Sequence, residues 1–392
     1  MLTDGALRML VLLHFHTLGF NPLQLSFLFL IYEFAGAITN LYAGWIASRV
    51  GLTTTLYCGL IFQIISLYAL TLTNKEWSIL VSVIFVMLVQ GLSGVAKDLT
   101  KMSSKSAVKY LVPNDNKKLF KWVTLLTGSK NAIKGIGFFF GGFLLALLGF
   151  KISLILMIVI LIVILVFSIF LIPRKLGKIN KNVKFSEVFS TNKNINNLSA
   201  ARMFLFGARD VWFVVGLPLY FYSILSDGSV EKNMEAFVFV GSFLAFWIIF
   251  YGIIQTSSPK IINLKKNKNI IVALAKKWSL YIFPIPILLI FLLRYYNELN
   301  IFNLYITIFI LLVFGYVFAI NSSIHSYLIL EFTNEKRVSM DVGFYYMANA
   351  VGRLIGTLLS GLAYTYGGIE YCLFMSAFML LLNRLCINRI NQ

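Results

Sequence analysis

Apolar stretches recur along the chain, each of about 20 residues or more and therefore long enough to cross a hydrocarbon layer of about 30 Å as an α-helix. Their cores fall at 3–20, 23–47, 52–73, 77–98, 119–149, 152–172, 198–222, 234–257, 269–293, 300–330, 338–366 and 368–386. The pattern predicts an all-α integral membrane protein with twelve spans. The longest polar interruption carries Arg174, Lys175, Lys178, Lys181, Lys184 and Lys193 and divides the spans six and six. We therefore expect an N-terminal six-helix bundle over 1–173, a basic linker over 174–197 and a C-terminal six-helix bundle over 198–392.

Composition strengthens this reading, because 59% of residues are hydrophobic and only 12% are charged, about half the charged share of a soluble domain. Lys and Arg are placed unevenly among the loops. Arg49, Lys101 to Lys121, Arg174 to Lys193, Lys260 to Lys268, and Lys336 with Arg337 follow the even-numbered spans, whereas the opposite loops hold few cations and several acids. Positive loops stay on the cytoplasmic side, so both termini are expected to face the cytoplasm of a cell whose inner or plasma membrane the protein spans. The net charge of +19 is accounted for by that bias and by contact with anionic lipids, and no nucleic-acid partner is expected. Lysines at 97, 101, 105 and 109 fall at helical i, i+4 spacing; such a stripe reads first as a surface helix on lipid headgroups, and second as a gate.

The three cysteines, Cys58, Cys372 and Cys386, have no paired spacing, and no hydrolase or phosphate-loop motif occurs in a usable context. No cofactor, metal site or enzymatic activity is expected. Transport driven by a gradient or by exchange is the remaining class.

Five basic residues interrupt the apolar stretches far from any helix end: Arg8, Lys130, Lys134, Arg209 and Arg353. Charge inside a bilayer is costly, so such residues usually face a cavity and hold something negative. A small polyanionic substrate is the predicted ligand. The competing reading is that acids pair with these cations for packing: Asp4 lies one turn before Arg8, and Asp210 adjoins Arg209. Lys134 and Arg353 have no acid within a helical turn, and Lys130 and Lys134 share one helix face, where they repel unless an anion sits between them. Asp4 and Asp210 are candidates for orienting the arginines or relaying protons, and Glu33 for carrying a coupling proton. Asn131, Asn321 and His325 are candidates for added hydrogen bonds to the ligand; Asn349 is open to a cavity or a packing role, His14 and His16 to a proton-carrying or a packing role, and Glu331 to a proton-carrying role or a place at the cytoplasmic interface. Setting Lys134-Gly135-Ile136-Gly137 over Arg353-Leu354-Ile355-Gly356 also brings Gly142 onto Gly361 and Gly149 onto Gly368. Gly5-Ala6-Leu7-Arg8 matches Gly207-Ala208-Arg209 more loosely. Two pseudo-symmetric halves with cations at equivalent points are thus expected.

Gly44-Trp-Ile-Ala-Ser48-Arg49-Val-Gly51, between the second and third spans, resembles the GxxxDRxG loop of the major facilitator superfamily, with Ser48 where that family usually has Asp. Gly44, Arg49 and Gly51 would form the gating loop. Within that superfamily the chain is similar to the ArsJ family of organoarsenical efflux permeases. The resemblance rests on TDGALRMLVLLHFHTLGF (3–20), GLSGVAKDLTKMSSKSAVKYLVP (91–113), KWVTLLTGSKNAIKGIGFF (121–139) and LSAARMFLFGARDVWFVVGLPLY (198–220). It implies export of 1-arseno-3-phosphoglycerate, made when glyceraldehyde-3-phosphate dehydrogenase uses arsenate in place of phosphate, and hence a functional partnership with that enzyme. Members of the family begin further upstream, so the first span is expected to be truncated at its N-terminal end or to start upstream of Met1. Carriers of sugar phosphates or other organic phosphates have the same charge pattern, and a multi-span membrane enzyme is the rival from another class.

Overall fold

The computed structural model describes residues 1–74, 76–111, 116–172, 190–262, 268–296, 301–333 and 338–390, and the side chains of all of these except 43–50, 102, 105–111, 116–128, 131, 259–260, 262, 268, 330 and 338–340. The described residues are almost wholly helical: α1 (Leu2–Thr17), α2 (Pro22–Phe27), α3 (Leu30–Val50), α4 (Leu52–Thr71), α5 (Ile79–Leu111), α6 (Asn116–Leu171), α7 (Lys193–Val211), α8 (Leu217–Leu225), α9 (Val230–Ile262), α10 (Lys268–Ile282), α11 (Pro284–Tyr296), α12 (Ile301–Phe332) and α13 (Val338–Asn388).

Among the described residues nine helical runs are long and apolar enough to cross a membrane. Two of them, in α6 and α13, turn back on themselves and make two passes each, and α1 adds another, which yields the twelve expected. The reversals are recorded by hydrogen bonds. Ser153 Oγ donates to the Leu144 carbonyl at 3.0 Å, although nine residues of straight helix would separate them by about 13 Å. Cys372 Sγ likewise reaches the Ser360 carbonyl at 3.6 Å. The turns occur where Gly149 takes φ 71° and Gly368 takes φ 60°, a region that side chains rarely enter. These are the two glycines that the internal alignment superimposes.

The same alignment holds at the helix crossings. A Cβ added to Gly5 would lie 3.2 Å from the Gly137 Cα, and one added to Gly356 would lie 3.1 Å from the Gly207 Cα. Glycine at both points lets α1 cross the first arm of α6, and α7 cross the first arm of α13, backbone to backbone.

Interruptions within spans have identifiable causes. Between α7 and α8 the chain makes one π turn, Trp212–Gly216. Pro218 follows it, and its ring cannot sit against the carbonyl four residues earlier in a regular helix. Ser360 Oγ accepts from the Val215 and Gly216 N–H groups at 3.1 Å each, which satisfies the amides that the π turn frees. Pro284 separates α10 from α11. α1 has 16 residues, about 24 Å of helix, so it is shorter than the hydrocarbon layer.

The two halves touch along two seams, α6 with α9 and α2–α3 with α13. In the first seam a Cβ on Gly241 would approach the Phe138 carbonyl at 2.8 Å, and one on Gly142 would run into the Phe237 carbonyl. Gly142→Val is expected to leave insertion intact but to lower transport roughly tenfold, because overpacking of about 1–3 kcal/mol falls on the closed seam. Efflux from vesicles, compared with gel-filtration behaviour of the purified variant, separates this outcome from simple misfolding.

Candidate functional site

Small residues let the site's helices approach closely. A Cβ on Gly36 would lie 3.1 Å from Asp98 Oδ2, and one on Gly94 would lie 2.6 Å from the Tyr32 carbonyl, so α3 and α5 pack with their backbones nearly in contact. Tyr32 and Glu33 of α3 thereby project between α1, α5 and α13.

Glu33 accepts from two arginines. Arg8 Nη2 of α1 and Arg353 Nη2 of α13 both donate to Glu33 Oε1, the latter at 2.6 Å. Arg353 Nε also donates to Asp210 Oδ2 at 3.2 Å, and Arg209 Nε donates to Asp210 Oδ1 at 2.6 Å. The result is one chain of alternating charge, Arg8–Glu33–Arg353–Asp210–Arg209, that begins in the N-terminal half and ends in the C-terminal half. The Arg8 guanidinium further rests 5.2 Å from the Phe29 ring and 5.3 Å from the Tyr32 ring.

A second branch meets it at Tyr32. The phenol donates to Asp4 and accepts from Lys97 Nζ at 3.0 Å, while Asp4 pairs with Lys134 at 3.6 Å. Asp98 pairs with Lys97 at 3.7 Å and with Lys101 at 3.2 Å. Asn40 bridges the last pair, accepting from Lys101 at 3.0 Å and donating to Asp98 at 3.3 Å. Six cations thus surround four carboxylates, Asp4, Glu33, Asp98 and Asp210. At ordinary ionisation the cluster keeps two positive charges.

The network lies near mid-membrane, since Arg8 is nine residues before the end of α1, about 13 Å along the helix. Exposure is graded along it. The side chains of Glu33 and Asp210 are 1% exposed and Arg8 6%, against 17% for Arg353, 21% for Lys134 and 25% for Lys101. Exposure rises toward Lys101, which lies nearer the Leu111 end of α5. Ser26 of α2 fills the place where Gly361 of α13 has no side chain.

Several expectations change. Asp4 orients Lys134, not an arginine; Arg8 is held by Glu33 from another span, and Arg353, which has no acid nearby in sequence, holds two. Lys97 and Lys101 are not on a lipid-facing stripe but line the network, 9% and 25% exposed; Lys105 and Lys109 have side chains outside the described residues. Lys130 lies one turn from Lys134 on α6 and is half-buried. Asn321 and His325 are fully buried on α12 and make no hydrogen bond or ion pair with the network. The Asn131, Gly44 and Arg49 side-chain positions lie outside the described residues, while Gly51 caps α4 at φ 92°. Tyr32 and Asp98 carry site chemistry that the sequence reading does not single out.

The sequence pattern of the Major Facilitator Superfamily matches residues 1–294. Among solved structures, the fold is similar to that of the nucleoside transporter NupG (TM-score 0.74, 15% identity, 100% of this chain and 96% of that one). It is equally similar to a POT family transporter in complex with 5-aminolevulinic acid (TM-score 0.74, 13% identity, 100% and 94%). A bacterial homologue of the iron transporter ferroportin in its inward-facing state also matches (TM-score 0.70, 14% identity, 99% and 96%). No curated protein sequence matches.

Proposed function

The chain belongs to the Major Facilitator Superfamily, whose members are secondary transporters, and from that premise we propose that it exports a small polyanionic organoarsenical, 1-arseno-3-phosphoglycerate, and so confers arsenate resistance. The observation that carries the proposal is the mid-membrane convergence of Arg8, Lys134, Arg209 and Arg353 from both halves, with Glu33 shared between arginines of the two. Arginine forks suit phosphate and arsenate oxygens. The carboxylates stand in for substrate anions while the site is empty: a phosphate or arsenate that takes Arg8 and Arg353 displaces Glu33, and the halves then part. The family resemblance of residues 3–20, 91–113, 121–139 and 198–220 supplies the arsenical identity.

In this reading the protein sits in the inner or plasma membrane with both termini in the cytoplasm, the basic face is the cytoplasmic one, and the cluster loads from inside. Export of an anion from an inside-negative cell is favoured by about 2.3 kcal/mol per charge at 100 mV. Glyceraldehyde-3-phosphate dehydrogenase is the functional partner that makes the substrate.

The test is arsenic retention in arsenate-exposed cells lacking other exporters, with this chain and the dehydrogenase expressed singly and together. Retention is expected to fall only when both are present. Unchanged retention, with organic phosphate exchange in vesicles, would assign the site to sugar phosphates or related organic phosphates instead.

A further inference from the structure

Apart from the central network, the C-terminal half buries a cation with no carboxylate. Arg202 of α7 is 5% exposed. Its Nη1 donates to the Ser322 carbonyl and to Ser322 Oγ, both at 2.9 Å, and its Nε donates to Asn349 Oδ1 at 3.1 Å. The guanidinium carbon lies 4.0 Å from the Phe206 ring and 5.1 Å from the Tyr345 ring. Among the described residues no acid pairs with it, and its three side-chain hydrogen bonds all go to neutral acceptors.

Further polar groups of α9 and α12 lie around Ser322. Gln255 Nε2 meets Ser322 Oγ at 3.3 Å. On α12, Asn321 and His325 flank Ser322, are fully buried and have no hydrogen-bond partner at any side-chain nitrogen or oxygen. A buried polar atom left unpaired is costly, and so is a cation inside a membrane that no carboxylate neutralises. Both deficits are met by the same thing, an anion with several acceptor oxygens.

Arg202 is also placed on a path. It precedes Arg209 by seven residues of α7, about 10 Å of helix, and Arg209 rests 4.8 Å from the same Phe206 ring. Two guanidinium groups thus contact one aromatic side chain, with Arg202 nearer the Lys193 end of the helix, on the basic face.

We infer that Arg202, with Gln255, Asn321 and His325, forms a second anion station that takes one tetrahedral oxyanion, such as a phosphate group, between the basic face and the central network. The inference rests on the reading of the chain as an anion carrier. The His325 ring and the Asn321 amide offer donors, and Arg202 offers its guanidinium. A polyanion moving between stations exchanges one arginine for the next along α7.

The experiment is equilibrium binding of labelled inorganic phosphate to the purified full-length protein. Wild type is expected to bind two phosphates per chain, R202Q to keep only the central one, and R353Q to keep only the Arg202 one. R202K, which retains charge but loses the fork, is expected to weaken the second site roughly tenfold. If R202Q does not fold, the double variant N321A/H325A gives the same readout without removing charge. A single phosphate that R353Q removes and R202Q leaves unchanged overturns the station but leaves the carrier reading standing. Binding that neither R202Q nor R353Q alters overturns both.

Discussion

Glu33→Gln is expected to reduce efflux by roughly a hundredfold, about 2.8 kcal/mol, while tightening anion binding by roughly tenfold. Glu33 is the one acceptor shared by Arg8 and Arg353, so the neutral amide leaves two guanidinium groups facing each other across the junction of the halves. Their repulsion is about 1–4 kcal/mol between surface-like and aqueous screening, and loss of one member of a buried ion pair costs about 3–5 kcal/mol. An incoming anion relieves that repulsion and no longer has a carboxylate to displace. It binds more firmly, but the empty carrier has lost the group that draws its halves together and returns poorly. Phosphate binding and vesicle efflux, measured on the same preparation, separate the two effects. Full-rate efflux by E33Q would remove the carboxylate from the transport cycle, and equal loss of binding and efflux would mean that Glu33 only supports the fold.

Much of the architecture was legible in sequence. The apolar spans and the superposition of Gly149 on Gly368 follow from span length and from the need for glycine at sharp reversals. The four central cations were legible for a similar reason, since charge deep in an apolar stretch must be accounted for. Their partners were not. Glu33 and Arg353 are separated by 320 residues, and one sequence has no signal that two such positions meet. An i, i+4 lysine stripe looks the same whether it faces lipid headgroups or a cavity. What decides for Lys97 and Lys101 is Tyr32 and Asn40 of a neighbouring span. Arg202 was passed over because the apolar stretch starts at Leu198, which places it beside a helix end. The structure starts α7 at Lys193, with Asn192 capping the Asn194 and Ile195 N–H groups, and so puts Arg202 nine residues into the helix.

Arg353→Gln is expected to reduce efflux by roughly a hundredfold, about 2.8 kcal/mol at 1.4 kcal/mol per tenfold, with little loss of folding stability. The asymmetry with Glu33 comes from the order of charges in the chain. Without Arg353, Glu33 keeps Arg8 and Asp210 keeps Arg209, so neither acid is stranded. What disappears is the only link the network makes between those two pairs, Nη2 to Glu33 at 2.6 Å and Nε to Asp210 at 3.2 Å. Lysine restores the charge but not a fork that reaches two carboxylates on different helices, so R353K is expected to recover less than roughly a tenth of the lost rate. Combining R353Q with E33Q adds little to either single loss, because both remove the same inter-half link, and residues in one network are not additive. Additive losses would show that Glu33 and Arg353 act at separate steps, Glu33 with Arg8 in anion release and Arg353 with Asp210 in anion capture.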